Sequence, residues 1–302
     1  VNVLSPGDRV LALSCGRFGE RLAAVARSFG ADVILVEAPW GRGIDPQQVT
    51  EALRLHAGVK AVLVTHNETS TGVTNDLRGI AQAVRGSGAL LLVDAVSSLG
   101  AIELQADAWG LDVVVTGSQK ALMGPPGAVF INVSPRAWEA VKTARMPKHY
   151  FSFAAARDEL ASDAAYTPFT PAIPVVYALA VSIPMILREG LPARFAYHRR
   201  LAELTRRGVQ EMGLELFADA RWASETVTAV KIPTGVSGKE VRGRLWSRFD
   251  VAIAGGQGAL EGKIFRIGHM GYVQEAQILD ALQALEHVLA ELGHRRNPVT
   301  SR

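Results

Sequence analysis

Over the first 133 residues, short runs of consecutive apolar side chains alternate with stretches whose apolar positions recur every three or four residues. "RVLALS" precedes the amphipathic "FGERLAAVARSFG", "VKAVLVT" precedes "NDLRGIAQAVRGSG", and "ALLLVD" and "DVVVTG" follow. Short all-apolar runs separated by helices predict parallel strands buried on both faces, an α/β fold with a mostly parallel, doubly wound sheet. Ligands of such sheets collect at the carboxyl ends of the strands, which directs attention to "THNETSTG", "DAVSSLG" and "TGSQK".

Residues 134 to 172 read as irregular, with Pro147, Pro168 and Pro171 breaking any long period. A helix is predicted from about Val175 to Glu189. Beyond it, "LPARFAYHRRLAELTRRGVQEMG" reads as helix, "TVTAVKIP" as strand, "SGKEVRGRLWSRF" as helix, "KIFRIGH" as strand and "VQEAQILDALQALEHVLAELG" as a last amphipathic helix. The strict strand–helix rhythm is lost there. We therefore expect a large domain over 1–172, a connecting helix over 173–190 and a smaller α+β domain over 191–302.

Composition narrows the class. A chain of 302 residues with 48% hydrophobic and 20% charged content is long enough for two subdomains around a sizeable core. The net charge of +3 comes from Arg295, Arg296 and Arg302 in the tail, and the remainder balances, so no nucleic-acid surface is implied. Cys15 is the sole cysteine, which rules out an internal disulfide, and no apolar run reaches the roughly eighteen residues of a membrane span. A cytoplasmic protein with no membrane partner is expected. "VNVLSPGDRVLAL" carries no initiator Met and no signal peptide, and reads as the middle of a domain.

Two groups at the strand ends carry chemistry. Asp94 closes "ALLLV", where a carboxylate must be paired or hydrogen-bonded to offset its desolvation. Lys120 follows the next strand by a few residues. Alone, the first is an N-cap or loop acid and the second a solvated lysine; together at one crevice they suggest pyridoxal phosphate, whose aldehyde condenses with the amine while the acid keeps its ring nitrogen protonated.

"LLLVDAVSSLGA", "VVVTGSQKALMGPPG", "VTHNETSTGV" and "FRIGHMG" together resemble the class V aminotransferases of fold type I, specifically the alanine/serine–glyoxylate aminotransferase group. The resemblance extends over nearly the whole chain. It implies that Lys120 is the Schiff-base lysine and shuttles a proton, that Asp94 pairs with the ring nitrogen, and that Val96 packs on one ring face. It further implies that Thr69 bonds the ring hydroxyl, Gln119 donates to the cofactor phosphate, and Arg266 grips the substrate carboxylate. "YTPFTP" resembles a segment through which a neighbouring subunit reaches the phosphate, Thr170 being the better match and Thr167 or Tyr166 the weaker, which implies an isologous dimer with a shared site. The family's arm, its phosphate-cradling loop and the aromatic residue that stacks on the ring are expected upstream of Val1.

The resemblance implies transamination between a small amino acid, serine or alanine, and a 2-oxo acid such as glyoxylate or pyruvate. Pyridoxamine–pyruvate and other class V activities, and a cofactor-free scaffold or regulatory homologue, stand as alternatives. A desulfurase needs a cysteine beyond the lysine, and Cys15 lies upstream. "HNE" at His66 to Glu68 lacks the Pro-Cys-x-x-Cys partner of zinc deaminases, and "AGGQGALEG" is not a dinucleotide fingerprint. His269 is read as lining the substrate pocket or capping a turn.

Overall fold

A computed structural model describes residues 1–164 and 166–294, so the basic tail at Arg295, Arg296 and Arg302 lies outside the described residues. In chain order the first elements are β1 (Arg9–Ser14), α1 (Arg17–Ser28), β2 (Asp32–Glu37), α2 (Pro46–Leu55), β3 (Val59–Thr65), β4 (Asn67–Glu68), β5 (Val73–Thr74), α3 (Leu77–Val84), β6 (Leu90–Asp94), α4 (Ala106–Trp109), β7 (Val113–Gly117) and β8 (Val129–Val133). Then come α5 (Pro135–Thr143), α6 (Phe153–Leu160), α7 (Ile173–Glu189), α8 (Leu191–Glu211), β9 (Val227–Lys231), α9 (Gly238–Phe249), β10 (Ala254–Gly255), β11 (Ile264–Gly268) and α10 (Glu275–Glu291).

The large sheet has the order β2-β1-β3-β6-β7-β8. Every neighbouring pair is parallel except β7 with the edge strand β8. Alternate side chains of one strand enter different cores: Leu11 and Leu13 of β1 join α2 and α3 on one face, while Val10 and Ala12 join α1 and α5 on the other. A strand apolar at every position is thus what two covered faces require. The strand order turns back between β1 and β3, and the carboxyl ends around that point carry the loops of the site.

The smaller sheet, β10-β11-β9, is antiparallel. Its inner face, with Val230, Phe265 and Ile267, packs under α8, α9 and α10. Ala229 and Ile264 on the other face meet Trp40 of the larger unit. Period 2 therefore sorts β11: Phe265 and Ile267 point into the smaller core, and Arg266 points towards the large sheet.

Residues 134 to 172 depart from the irregular reading, because α5 and α6 form there. Ser134 and Ser152 cap them by accepting the N–H groups of Ala137 and Ala155, and Pro135 pre-sets the first turn of α5. Helices of nine and eight residues are too short to show a clear period. The edge strands β2 and β8 and the short hairpin β4–β5 likewise escape a search for buried runs. Among the described residues no single helix is long and apolar enough to cross a membrane.

Candidate active site

Asp94 is the last residue of β6 and pairs in register with Val115 of β7. Its Oδ1 accepts the N–H of Val96 at 2.9 Å, and its Oδ2 meets the Thr65 hydroxyl at a long 3.5 Å. Among the described residues no Lys, Arg or His lies within ion-pair distance of it. Burial pushes the carboxyl above its ordinary range, against the Val96 N–H, the Thr65 hydroxyl and the charge of Arg21. The local turn explains the geometry: Ser98 and Leu99 donate back to Ala95, so the chain folds over the strand end with Val96 half-buried on it.

Lys120 stands three residues beyond β7, in the turn that reverses the chain into β8. Ser118 builds that turn by donating to Pro125 O at 2.6 Å and accepting Ala128 N–H at 3.2 Å, while Gly124 N–H bonds Ser118 O. Met123 takes a left-handed φ of 63° and donates to the Lys120 carbonyl. Gly271, from the loop after β11, closes on the same carbonyl, since a Cβ there would lie 3.1 Å from it. The lysine is half-buried, and its amine makes no hydrogen bond or ion pair among the described residues. Gln119 is exposed, its amide folded over Gly117.

Thr69 and Arg266 come together across the two units. Arg266 is 8% exposed and donates through Nε to Gly255 O and through Nη1 to Thr69 O, both at 2.9 Å. Those two bonds use two of its five N–H donors and fix the guanidinium plane. Burial lowers its pKa, with the charge of Glu68 opposing, and among the described residues no carboxylate lies within ion-pair distance. Glu68 is fully buried: its Oε2 accepts the N–H groups of Phe18 and Gly19 at the start of α1, and its Oε1 accepts Ser70 Oγ at 2.6 Å. Gly16 is required there, because a Cβ would come within 2.6 Å of Glu68 Cγ.

The structure adds residues that the motifs do not single out. Phe18 is half-buried at the first turn of α1, over the sheet's carboxyl end, with the Arg21 guanidinium 5.2 Å from its ring centroid. The Arg21 charge also acts on the Asp94 carboxylate. An aromatic side chain therefore stands at the start of the helix that follows β1, where the sequence reading expects one only upstream of Val1. His269 corrects another expectation. It is fully buried on the α8 side of the smaller sheet, bonded to Thr228 at 2.9 Å, so it does not share the face of Arg266. Thr167 and Thr170 sit on the exposed segment before α7, next to Phe169, which packs on His149 and Tyr150; the Thr167 hydroxyl bonds Phe169 O at 2.7 Å. The described contacts do not bring either threonine to Asp94 or Lys120 of the same chain.

A mostly parallel open sheet with a lysine and an aspartate at neighbouring strand ends, and an arginine of the smaller sheet anchored on the Thr69 carbonyl, is the frame of an α/β enzyme. The family profile described as Aminotransferase class-V matches residues 2–278. The chain is 46% identical over 297 residues to the soluble hydrogenase 42 kDa subunit of Anabaena cylindrica, covering 97% of this chain and 77% of that one. It is 40% identical to the L-aspartate–glyoxylate aminotransferase of Paracoccus denitrificans (97% and 74%) and 38% identical to the serine–glyoxylate aminotransferase of Arabidopsis thaliana (97% and 74%). The crystal structure of pyridoxamine-pyruvate aminotransferase from Mesorhizobium loti matches with a TM-score of 0.93 at 34% identity, over 97% of this chain and 76% of that one. The chain belongs to the class-V aminotransferases. It is a transaminase of fold type I, dependent on pyridoxal phosphate.

Proposed function

We propose that this transaminase moves an amino group between a small amino acid, serine or alanine, and a 2-oxo acid such as glyoxylate or pyruvate. One observation carries the reading. Asp94 and the Lys120 turn stand at neighbouring strand ends, Arg266 lies against the Thr69 turn, and among the described residues neither Asp94 nor Arg266 has an oppositely charged group within ion-pair distance. That donor set fits pyridoxal phosphate, because a ring bearing a protonated nitrogen neutralises Asp94 and a substrate carboxylate neutralises Arg266. When bound, the cofactor supplies an aldehyde that condenses with amines and a ring that accepts electron density.

In this reading the Lys120 amine would hold the cofactor and, once displaced by substrate, carry a proton between the substrate α-carbon and the cofactor carbon. Asp94 keeps the ring nitrogen protonated, and the Val96 N–H fixes the orientation of its carboxylate. Phe18 and Val96 offer flat apolar surface to the ring, Thr69 gives a hydroxyl donor beside it, and Gln119 donates to the phosphate. The three N–H groups left on Arg266 form the fork for the substrate carboxylate, a geometry that lysine lacks. Thr170, with Thr167 as the weaker candidate, serves the phosphate of a neighbouring subunit; the 66% exposure of Tyr166 and 73% of Tyr177 around them supports an isologous dimer.

The 40% identity to an aspartate-using enzyme and the structural match to a pyridoxamine-using one favour a second reading, in which the donor is one of those amines. The deciding experiment mixes purified holoenzyme separately with serine, alanine, aspartate and pyridoxamine, and follows the near-visible absorbance of the bound cofactor. Bleaching by serine or alanine is expected. Bleaching by aspartate or pyridoxamine alone replaces the donor assignment, and absence of the absorbance after adding pyridoxal phosphate removes the site assignment altogether.

A further inference from the structure

The hairpin that leads to Thr69 is joined to the smaller unit through a buried cluster of neutral polar groups, with Asn67 at its centre. Asn67 is 2% exposed. Its Nδ2 donates to Ser97 Oγ at 2.8 Å and to Thr226 Oγ1 at 2.9 Å. Its Oδ1 accepts the hydroxyls of Thr74 at 2.7 Å and Ser224 at 2.6 Å. Ser97 Oγ also donates to the Asn67 carbonyl at 2.9 Å, which obliges that oxygen to accept from Nδ2 and fixes which way the amide points. Two donors and two lone pairs are all engaged, so the side chain has one orientation.

The four partners belong to segments that are far apart in the chain and meet only here. Ser97 lies three residues after Asp94, in the turn that also carries Val96. Thr74 is the other arm of the hairpin. Ser224 and Thr226 lead into β9, which pairs with β11 so that Ala229 lies opposite Arg266. Backbone bonds run alongside: Ser224 N–H donates to Gly72 O at 2.9 Å, and Arg266 reaches Thr69 O. A seam built only for stability has no need of four buried polar side chains, with Thr74 half-buried beside them, since each is costly unless every bond is made. What directional bonds add is a fixed separation between the pieces they join.

We propose that Asn67 is a positioning residue of the active site, setting the span between the Asp94–Val96 turn and Arg266. This rests on the reading in which Asp94 holds the cofactor ring and Arg266 the substrate carboxylate. Buried as it is, Asn67 touches neither; it acts by holding the smaller unit at the distance where both ends of the reacting pair are gripped together. Loss of the clasp lets the guanidinium drift relative to the ring, which weakens carboxylate binding before it affects the fold.

The test uses full-chain holoenzyme with Thr226→Val, which keeps shape but removes the cross-unit acceptor, and Asn67→Ala, which removes the clasp; Arg266→Lys serves as a control. For Thr226→Val we expect KM for both amino donor and 2-oxo acid to rise about tenfold, as for one lost buried hydrogen bond. We expect kcat to stay within about twofold and the cofactor absorbance to be unchanged. Folded Asn67→Ala shows a larger KM rise; if it does not fold, Thr226→Val decides. Unchanged KM in the folded clasp variants, with or without a lower melting temperature, overturns the proposal when Arg266→Lys raises KM. If Arg266→Lys also leaves KM unchanged, the assignment of Arg266 falls and the positioning role falls with it.

Discussion

The two ends of the large sheet each hold an aspartate, Asp112 buried and Asp94 half-buried, and they are treated in opposite ways. At the amino end Asp112, just before β7, accepts from Ser134 Oγ at 2.9 Å, Arg136 Nε at 3.0 Å, Leu91 N–H at 2.7 Å and Arg136 Nη2. Four donors saturate its oxygens, and the pair raises the Arg136 pKa. At the carboxyl end Asp94 has one good main-chain bond, one long hydroxyl contact and, among the described residues, no cation within ion-pair distance. The same contrast separates Arg136, paired in two-pronged fashion with a carboxylate, from Arg266, anchored only on carbonyl oxygens. A charge bonded on every side serves the fold, whereas a charge with no ion-pair partner in contact can take one from a ligand, which is the role proposed for Asp94 and Arg266.

Exchanging the two aspartates in turn breaks this comparison most sharply. Asp94→Asn should lower kcat by at least about a hundredfold, as for loss of a preorganised charge, with no loss of melting temperature. Asp112→Asn should leave kcat per folded molecule unchanged and cost about 1–3 kcal/mol in urea unfolding, towards the low end because Arg136 is half-exposed. A stable Asp112→Asn alongside an unstable Asp94→Asn removes the distinction.

Acid sharpens it next. Burial holds the ring of His66, whose main-chain N–H donates to the Asp94 carbonyl and whose Nδ1 bonds the Ser98 hydroxyl, down to about 4, and that of His269 down to about 3. Each stays neutral in the folded chain, while in the unfolded chain it takes up a proton below about pH 6.5. Their contribution is therefore complete above that pH and is lost as pH falls towards 4, by about 1.4 kcal/mol per pH unit for each histidine. Asp94 and Glu68, pushed up by burial, act in the opposite sense, because the folded form takes up their protons first. Urea titrations of wild type and His66→Asn between pH 4.5 and 7.5 separate the two, and the variant should show the flatter profile. A steeper one reverses the assignment.

The smallest expected effect concerns the aromatic face. Phe18→Ala should raise the apparent dissociation constant for pyridoxal phosphate about tenfold, with little change in stability for a half-buried ring. An unchanged constant moves Phe18 out of the site.

The motifs around Lys120, Asp94 and Arg266 were legible because each follows or lies in a strand whose apolar run is unmistakable, and strand ends are where such sheets place ligands. Phe18 was not, because one aromatic in an amphipathic helix looks like core until its half-exposed place at the carboxyl end of β1, under Arg21, is seen. Asn67 stood in a quoted motif, but its role depends on Ser224 and Thr226, 157 and 159 positions away. The short helices α5 and α6 were missed for a local reason: each is stabilised by its cap and packing more than by an apolar period.

Local pattern alone determined that this chain forms a buried parallel sheet, and that an amine and an acid stand at neighbouring strand ends, because side-chain alternation and strand sequence are properties of nearby residues. Which charges would go unpaired, which side of β11 would meet the Thr69 turn, and which amide would hold the two units in register were decided only by the tertiary structure. Desolvation and hydrogen-bond direction depend on what surrounds a group in space, and the surroundings of these residues come from the far end of the chain.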